Sequence, residues 1–140
     1  MFSSSTGKAG RNESLVVEGV HLTIAFLKEM MGKHPNLIPF VLYIRSTEKH
    51  GERFAVRAKH MTIDPRFNKY IKNIQHIRTI SDYLIQKADE VLIPKLENHN
   101  VDRSVSLIQT TIMRCLHRIS QGKAIYDVQQ KRATGIHNVL

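Results

Sequence analysis

An α/β fold with a mostly parallel sheet is what this sequence predicts, and three observations lead there. Short β-branched or apolar runs, ending near Val17 to Leu22, spanning Phe40–Ile44 and spanning Val91–Ile93, are interleaved with stretches of helical periodicity. Phe40-Val41-Leu42-Tyr43-Ile44 is apolar on both alternating faces, as expected of a central strand covered by helices on both sides. A chain of 140 residues that is 41% hydrophobic can bury one core and not two.

The elements follow in order. Residues 1–14, rich in Ser, Gly, Lys and Arg, carry no periodicity and read as a disordered lead-in. The domain is expected over 15–122, beginning with the run Leu15-Val16-Val17-Glu18-Gly19-Val20-His21-Leu22. Thr23 can cap a helix whose apolar face is Phe26, Leu27, Met30 and Met31, with Gly32 as its stop and Pro35 and Pro39 punctuating the turn to the central strand. Arg45 and Ser46 close that strand. Glu48–Met61 reads as a helix with Phe54, Ala58 and Met61 on one face and His50, Arg53, Arg57 and His60 on another, although Gly51 weakens it. After the break at Asp64-Pro65, Tyr70–Glu90 reads as one long helix with Ile74, Ile77, Ile80, Leu84 and Ala88 along its inner stripe. Val91-Leu92-Ile93 is the third strand, its far end demoted by Pro94, and Asn98-His99-Asn100 is a loop. Val101–Ser120 is the clearest helix: Asn100 can cap it, Asp102 suits its first turn, Val105, Ile108, Ile112, Leu116 and Ile119 share a face, and Gly122 ends it. Residues 123–140 form a tail with little pattern.

Composition narrows the function classes. The formal net charge of +9 favours anionic partners such as nucleotides, sugar phosphates, nucleic acid or an acidic membrane surface. With 6% aromatic residues, no Trp and no RNP-like or zinc-knuckle pattern, stacking platforms for RNA are scarce, so no nucleic-acid partner is expected. The longest nearly apolar run, Leu37–Ile44, is too short to span a membrane, and the opening residues have no signal core. Cys115 is the one cysteine; it excludes an intrachain disulfide and, with the missing signal, suggests an intracellular, cytoplasmic protein.

Positive charge is concentrated between Arg45 and Arg78, where nine Lys or Arg (45, 49, 53, 57, 59, 66, 69, 72, 78) face three acids (48, 52, 64). Such a run is often only a solvated helical face, but Arg53 and Arg57 stand one turn apart shortly after a central strand, and guanidinium groups match phosphate oxygens bidentately. Glu18, at a strand end, could hold Mg²⁺ or simply bond a neighbouring loop. His21 could bond a substrate hydroxyl or phosphate, or serve only in packing or capping. Asn98, Asn100 and Asp102 could meet a nucleotide base, with helix capping the plainer reading, and Cys115 falls among apolar helix positions as a core residue. Ser5-Thr6-Gly7-Lys8 is not a phosphate-binding loop, because glycine is missing at position 2 and Ser or Thr at position 9.

Several segments in the same order, Val17–Leu22, Ile38-Pro39-Phe40, Glu48-Lys49-His50, Glu52–Ala58, Asn68-Lys69-Tyr70, Ile77–Ile80 and Asn100–Val105, resemble the carboxyl-terminal half of the 2-phosphoglycerate kinase-like P-loop proteins, most of all the plant low-phytic-acid branch. The resemblance runs from about Leu15 to Leu116. It implies an incomplete P-loop kinase-type parallel sheet flanked by helices and lacking the P-loop strand, since no GxxxxGK followed by Ser or Thr occurs in the chain. It further implies Glu18 near Mg²⁺, His21 and Arg78 toward the phosphoryl acceptor, Arg53 and Arg57 in a lid over ATP phosphates, and Asn100 and Asp102 near the base. On this resemblance the chain is expected to be a fragment of an ATP-dependent small-molecule kinase linked to phosphorylated metabolites or phytic acid. ATP and Mg²⁺ would serve the complete family member and bind this chain weakly or not at all. A partner fragment or self-association would then supply the missing strand. The alternative is a non-catalytic module that binds phosphorylated metabolites or a partner chain.

Overall fold

Thr23 sets the first element. In a computed structural model that describes residues 13–61, 64 and 68–137, its extended backbone places Oγ1 to accept from the Phe26 amide at 3.1 Å, opening helix α1 (Ile24–Lys33). The helix runs through Gly32, the expected stop. Pro35 ends it instead, by disfavouring helical torsions at His34, which is extended at φ −125°, ψ 95°. Residues 13–21 are exposed and outside any strand, so the strand expected near Val17–Leu22 does not form. A β-branched run becomes a strand only where a neighbour fills its ladder, and among the described residues this one has none. Residues 1–12 of the expected lead-in, and Ser5–Lys8 with them, lie outside the described residues.

The sheet is small, parallel and two-stranded, flanked by helices: β1 (Val41–Tyr43) pairs with β2 (Lys95–Glu97) in the register Val41 to Lys95, Leu42 to Leu96 and Tyr43 to Glu97. The strand expected at Val91–Ile93 is instead the end of a helix. Leu92 adopts the left-handed conformation (φ 57°), and the Ile93 amide donates back to the Ala88 carbonyl at 2.9 Å, which satisfies the carbonyls of the last turn. Pro94 then opens β2 without cost to the ladder, because it is needed only as an acceptor: its carbonyl takes the Val41 amide at 2.9 Å.

Between the strands come α2 (Thr47–His60), α3 (Lys69–Lys72) and α4 (Ile74–Val91). Ser46 caps α2 by accepting from the Lys49 amide, and Gly51 does not interrupt it. The long helix expected over Tyr70–Glu90 is divided at Asn73, whose φ of −108° and ψ of 18° leave the helical region and whose side-chain amide donates to the Lys69 carbonyl at 2.8 Å. Ala88 and Val91 carry the buried face of α4; Ile80, placed on that stripe by sequence, is exposed.

Helix α5 (Val101–Ser120) has the predicted limits, with Asn100 Oδ1 accepting from the Arg103 amide at 2.9 Å. At its end, Gly122 at φ 70° lets the Lys123 amide reach the Arg118 carbonyl and its own amide reach Ile119. The buried face is centred beside the apolar stripe rather than on it. Ser104 (5% exposed), Thr111 (1%) and Cys115 (0%) face inward; of the expected stripe, Ile108, Ile112 and Ile119 are half-buried, Ile119 against the core, whereas Val105 (46%) and Leu116 (49%) are exposed. At ~3.6 residues per turn the stripe centred near Ile112 is rotated by roughly 80° from the buried line.

The segment after Gly122, expected as a tail, supplies core. Ile125, Tyr126, Ala133 and Ile136 are buried with Ile24, Met31, Val91 and Cys115, so the packed unit continues past position 122. Backbone bonds tie it down: Asp127 and Arg132 form an antiparallel bridge, the Ala133 amide donates to Val91 at 2.8 Å, and the Gly135 amide in α6 (Thr134–His137) donates to Ile125. No described helix is long and apolar enough to cross a membrane.

Candidate functional site

Parallel pairing puts the carboxyl ends of β1 and β2 side by side, with the Asn98 amide donating to the Tyr43 carbonyl at 2.8 Å. β1 leads through Ile44, Arg45 and Ser46 into α2, and β2 leads through Asn98, His99 and Asn100 into α5, so two capped helix starts meet at this end of the sheet. Ligands of open α/β sheets bind outside the carboxyl ends of their strands.

Two of the expected site residues converge there, and each is tied to a loop. Arg78, on α4, donates from Nη1 to the Ile44 carbonyl at 2.5 Å and from Nη2 to the Arg45 carbonyl at 2.7 Å, so its fork grips the β1–α2 turn. Arg53, on α2, donates from Nη2 to the His99 carbonyl at 3.3 Å and so reaches the β2–α5 loop. The second loop has a further tie: Ser104 Oγ lies 3.1 Å from Asn98 Oδ1 and 2.9 Å from the Asn100 carbonyl, to either of which it can donate its one proton.

Arg57 points elsewhere on α2. Its guanidinium lies 5.6 Å from the centre of the Tyr70 ring, within cation–π reach, and Tyr70 stacks on Phe54 at 4.9 Å with planes 5° apart. His50 stacks on Phe54 at 4.7 Å, making a column of His50, Phe54, Tyr70 and Arg57 between α2 and α3. Asn68 holds that junction: its Oδ1 accepts from the Tyr70 and Ile71 amides while its Nδ2 donates to the Phe54 carbonyl at 3.3 Å. Burial, with the charges of Arg78 and Arg53, holds the His50 pKa below its ordinary value near 6.5.

Among the described residues, no ion pair neutralises Arg53, Arg57 or Arg78; the described pairs are Lys33–Glu29, Lys87–Glu90 and Lys95–Asp89. Asn100 is beside this end of the sheet, but its Oδ1 is engaged in capping α5, and Asp102 is exposed in that helix's first turn. Glu18 and His21 are exposed on the 13–22 stretch, and no described hydrogen bond or ion pair ties their side chains to the arginines. Among the described residues no three His, Cys, Asp or Glu side chains gather in a metal-holding group. Cys115 is wholly buried as expected, and burial pushes its thiol pKa up.

The backbone carbonyls of Ile44, Arg45 and His99 had no signal in the sequence, because an arginine–carbonyl contact depends on register. Ser104 did have one: Ser104, Thr111 and Cys115 recur at spacings of seven and four, a second helical face that the stronger apolar stripe obscured.

No family model and no solved structure matches the chain. An uncharacterized protein of Dictyostelium discoideum is 45% identical over 129 residues, which are 91% of this chain and 15% of that protein. The 2-phosphoglycerate kinase of Methanopyrus kandleri is 32% identical over 98 residues (70% of this chain, 30% of the kinase), and that of Pyrococcus furiosus 28% over 117 residues (84% and 37%). The chain thus spans about a third of the archaeal kinases it matches, and over that stretch it stands in a kinase-like relationship to 2-phosphoglycerate kinase.

Proposed function

We propose that this chain provides a phosphate-binding part of an ATP-dependent small-molecule phosphotransferase related to 2-phosphoglycerate kinase. The observation that carries the reading is the approach of Arg53 and Arg78 to the carboxyl ends of two adjacent parallel strands with no carboxylate among the described residues paired to them. A phosphoryl group carries its charge on several oxygens, and an arginine fork meets two of them at once. Arg53 is the direct contact, since its single 3.3 Å bond is readily exchanged for a charged acceptor. Arg78 is a positioning residue, with both ends of its fork already engaged. Arg57, turned toward Tyr70, joins by rotating off the ring, in keeping with a lid role.

The acceptor on this reading is a hydroxyl of a phosphorylated acid or polyol. A link to phytic acid rests only on the resemblance to the plant low-phytic-acid branch. ATP phosphates suit the arginines, and Asn100 and Asp102 lie at the loop where a base would come. Mg²⁺ fits less well: Glu18 is a lone exposed carboxylate, so no step is assigned to a metal held by this chain.

Calorimetry of the purified chain with ATP and with 2-phosphoglycerate tests the reading. Binding should be weak, indifferent to the base and reduced several-fold between low and physiological salt, where the screening length is ~8 Å. It should be lost in Arg53→Gln, whose shorter, neutral side chain removes both the charge and the fork. Equal binding by wild type and this variant would sink the assignment.

The non-catalytic, partner-binding alternative has its own support in the apolar stripe of α5, where Val101, Val105 and Leu116 are exposed and match a helix that docks on further polypeptide. Sedimentation compares wild type with Leu116→Glu. A concentration-dependent dimer abolished by the charge supports docking; two identical monomers count against it.

A further inference from the structure

We infer that anion binding beside Arg53 and Arg78 is linked to proton uptake by His50, so that the site holds anions more tightly as the pH falls. This deepens the phosphate-binding reading and rests on it.

The argument begins with how the ring is held. The His50 amide donates to the Ser46 carbonyl in the first turn of α2, and the imidazole stacks on Phe54. Phe54 is in turn stacked on Tyr70, so the ring has little freedom to swing into water. Its Nδ1 is buried and has no hydrogen-bond partner among the described residues. The neutral ring, with its proton on Nε2, leaves a bare acceptor there. The charged ring would instead put an N–H donor at the same buried point with nothing to receive it.

Charge acts in the same direction. Among the described residues, the charges that hold its pKa down are Arg78 from α4 and Arg53 on its own helix, and no carboxylate offsets them. Free of ligand, the imidazole therefore stays neutral through most of the physiological range. An anion seated against Arg53 and Arg78 cancels much of their field at the ring, while the burial of Nδ1 persists. The midpoint must rise, because the arginine charge, which ranks after burial among the causes holding it down, has been weakened.

Linkage fixes the sign. A group whose pKa is higher in the complex takes up a proton on binding, so affinity is lowest above the bound midpoint. It climbs as the pH falls from the bound midpoint to the free one, and is level below that. A rise of about one unit corresponds to about tenfold in affinity.

Sulfate is the probe, since its own charge is constant over the range. The C2–H resonances of the full chain are followed by NMR from pH 8 to 5, with and without sulfate at low salt, and His50→Asn identifies the His50 signal among the eight histidines. Calorimetry gives sulfate affinity at both ends of the range. The expected result is a His50 midpoint raised in the presence of sulfate, and sulfate affinity tighter at the acid end by the fold-change that this rise sets. His50→Asn should gain less affinity than wild type toward acid pH, the remaining gain coming from the other seven histidines. If sulfate binds and Arg53→Gln weakens it, but the His50 midpoint does not move, the proton linkage is wrong and the phosphate site stands. If sulfate fails to bind, or binds regardless of Arg53→Gln, the site and the linkage fall together.

Discussion

Removing the Arg78 fork should loosen the β1–α2 turn, and the size of the effect can be worked from its two bonds. A hydrogen bond from a charged donor contributes about 1.5–3 kcal/mol where it is sheltered, and less where water can replace it. The bond to Ile44 is partly buried and the bond to Arg45 exposed, so the first carries most of the effect. Arg78→Met keeps the aliphatic stem but leaves both carbonyls without their donor, and should cost about 2 kcal/mol. Arg78→Lys keeps the charge and can reach one carbonyl, and should cost about half as much. Urea unfolding of the three proteins at neutral pH measures this directly; with slopes of about 1–3 kcal/mol/M, the Met variant's midpoint should fall by roughly 1 M. Amide exchange at Lys49 and His50, whose amides bond Ser46 at the end of the turn, should quicken in the same order. A Met variant within about 0.5 kcal/mol of wild type, with unchanged exchange at those amides, would refute the positioning role.

Three other outcomes are expected. Gly135→Ala places a Cβ 2.6 Å from Ile125 Cα and 2.7 Å from the Ala124 carbonyl, backbone atoms that cannot step aside, so a loss of about 1–3 kcal/mol should appear in a thermal melt; an unchanged Tm would mean that the segment after Gly122 is not docked in solution. Because burial, then Arg78 and Arg53, lower the native His50 pKa, the unfolded chain takes up that proton first as the pH falls through 6.5. Stability should decline from there to the native midpoint and level off below it, and His50→Phe should remove this component of a pH series of urea midpoints. Asn100→Ala should lose about 1 kcal/mol with its cap; lower nucleotide affinity without any loss of stability would instead make Asn100 a base contact.

What could be read in advance was whatever is local. Thr23, Ser46 and Asn100 sit where a side-chain oxygen meets the free amides of a first turn, and Gly122 where a positive φ ends a helix; these depend on a few adjacent residues. The strands depend on partners. Leu15–Leu22 looked more like a strand than Lys95-Leu96-Glu97, yet the latter has β1 beside it and the former has nothing. Pro94 was read as an interruption because its missing donor is visible in sequence, whereas the use of its carbonyl by Val41 is not. Site residues divide in the same way. Arg53 and Arg57 shared a face by spacing, but only the structure separates one turned to His99 from one turned to Tyr70. The buried line of α5 was missed because small polar residues with a cysteine made a weaker signal than isoleucines and leucines on the adjacent face.

The pairing of β1 with β2 also bears on how the molecule comes together in time. Two strands of three residues each, separated by roughly fifty positions, offer few ladder bonds against the entropy of closing so long a loop. They cannot nucleate folding. Helices α4 and α5 need only local contacts and can form early, and the sheet then registers once α4 has drawn its ends together. On a ribosome moving at about 5–20 residues per second, β1 emerges a few seconds before β2 exists to meet it. Throughout that interval the half-exposed Leu42 strand has an open edge, which makes the newborn chain most vulnerable to mispairing between synthesis of Tyr43 and of Glu97.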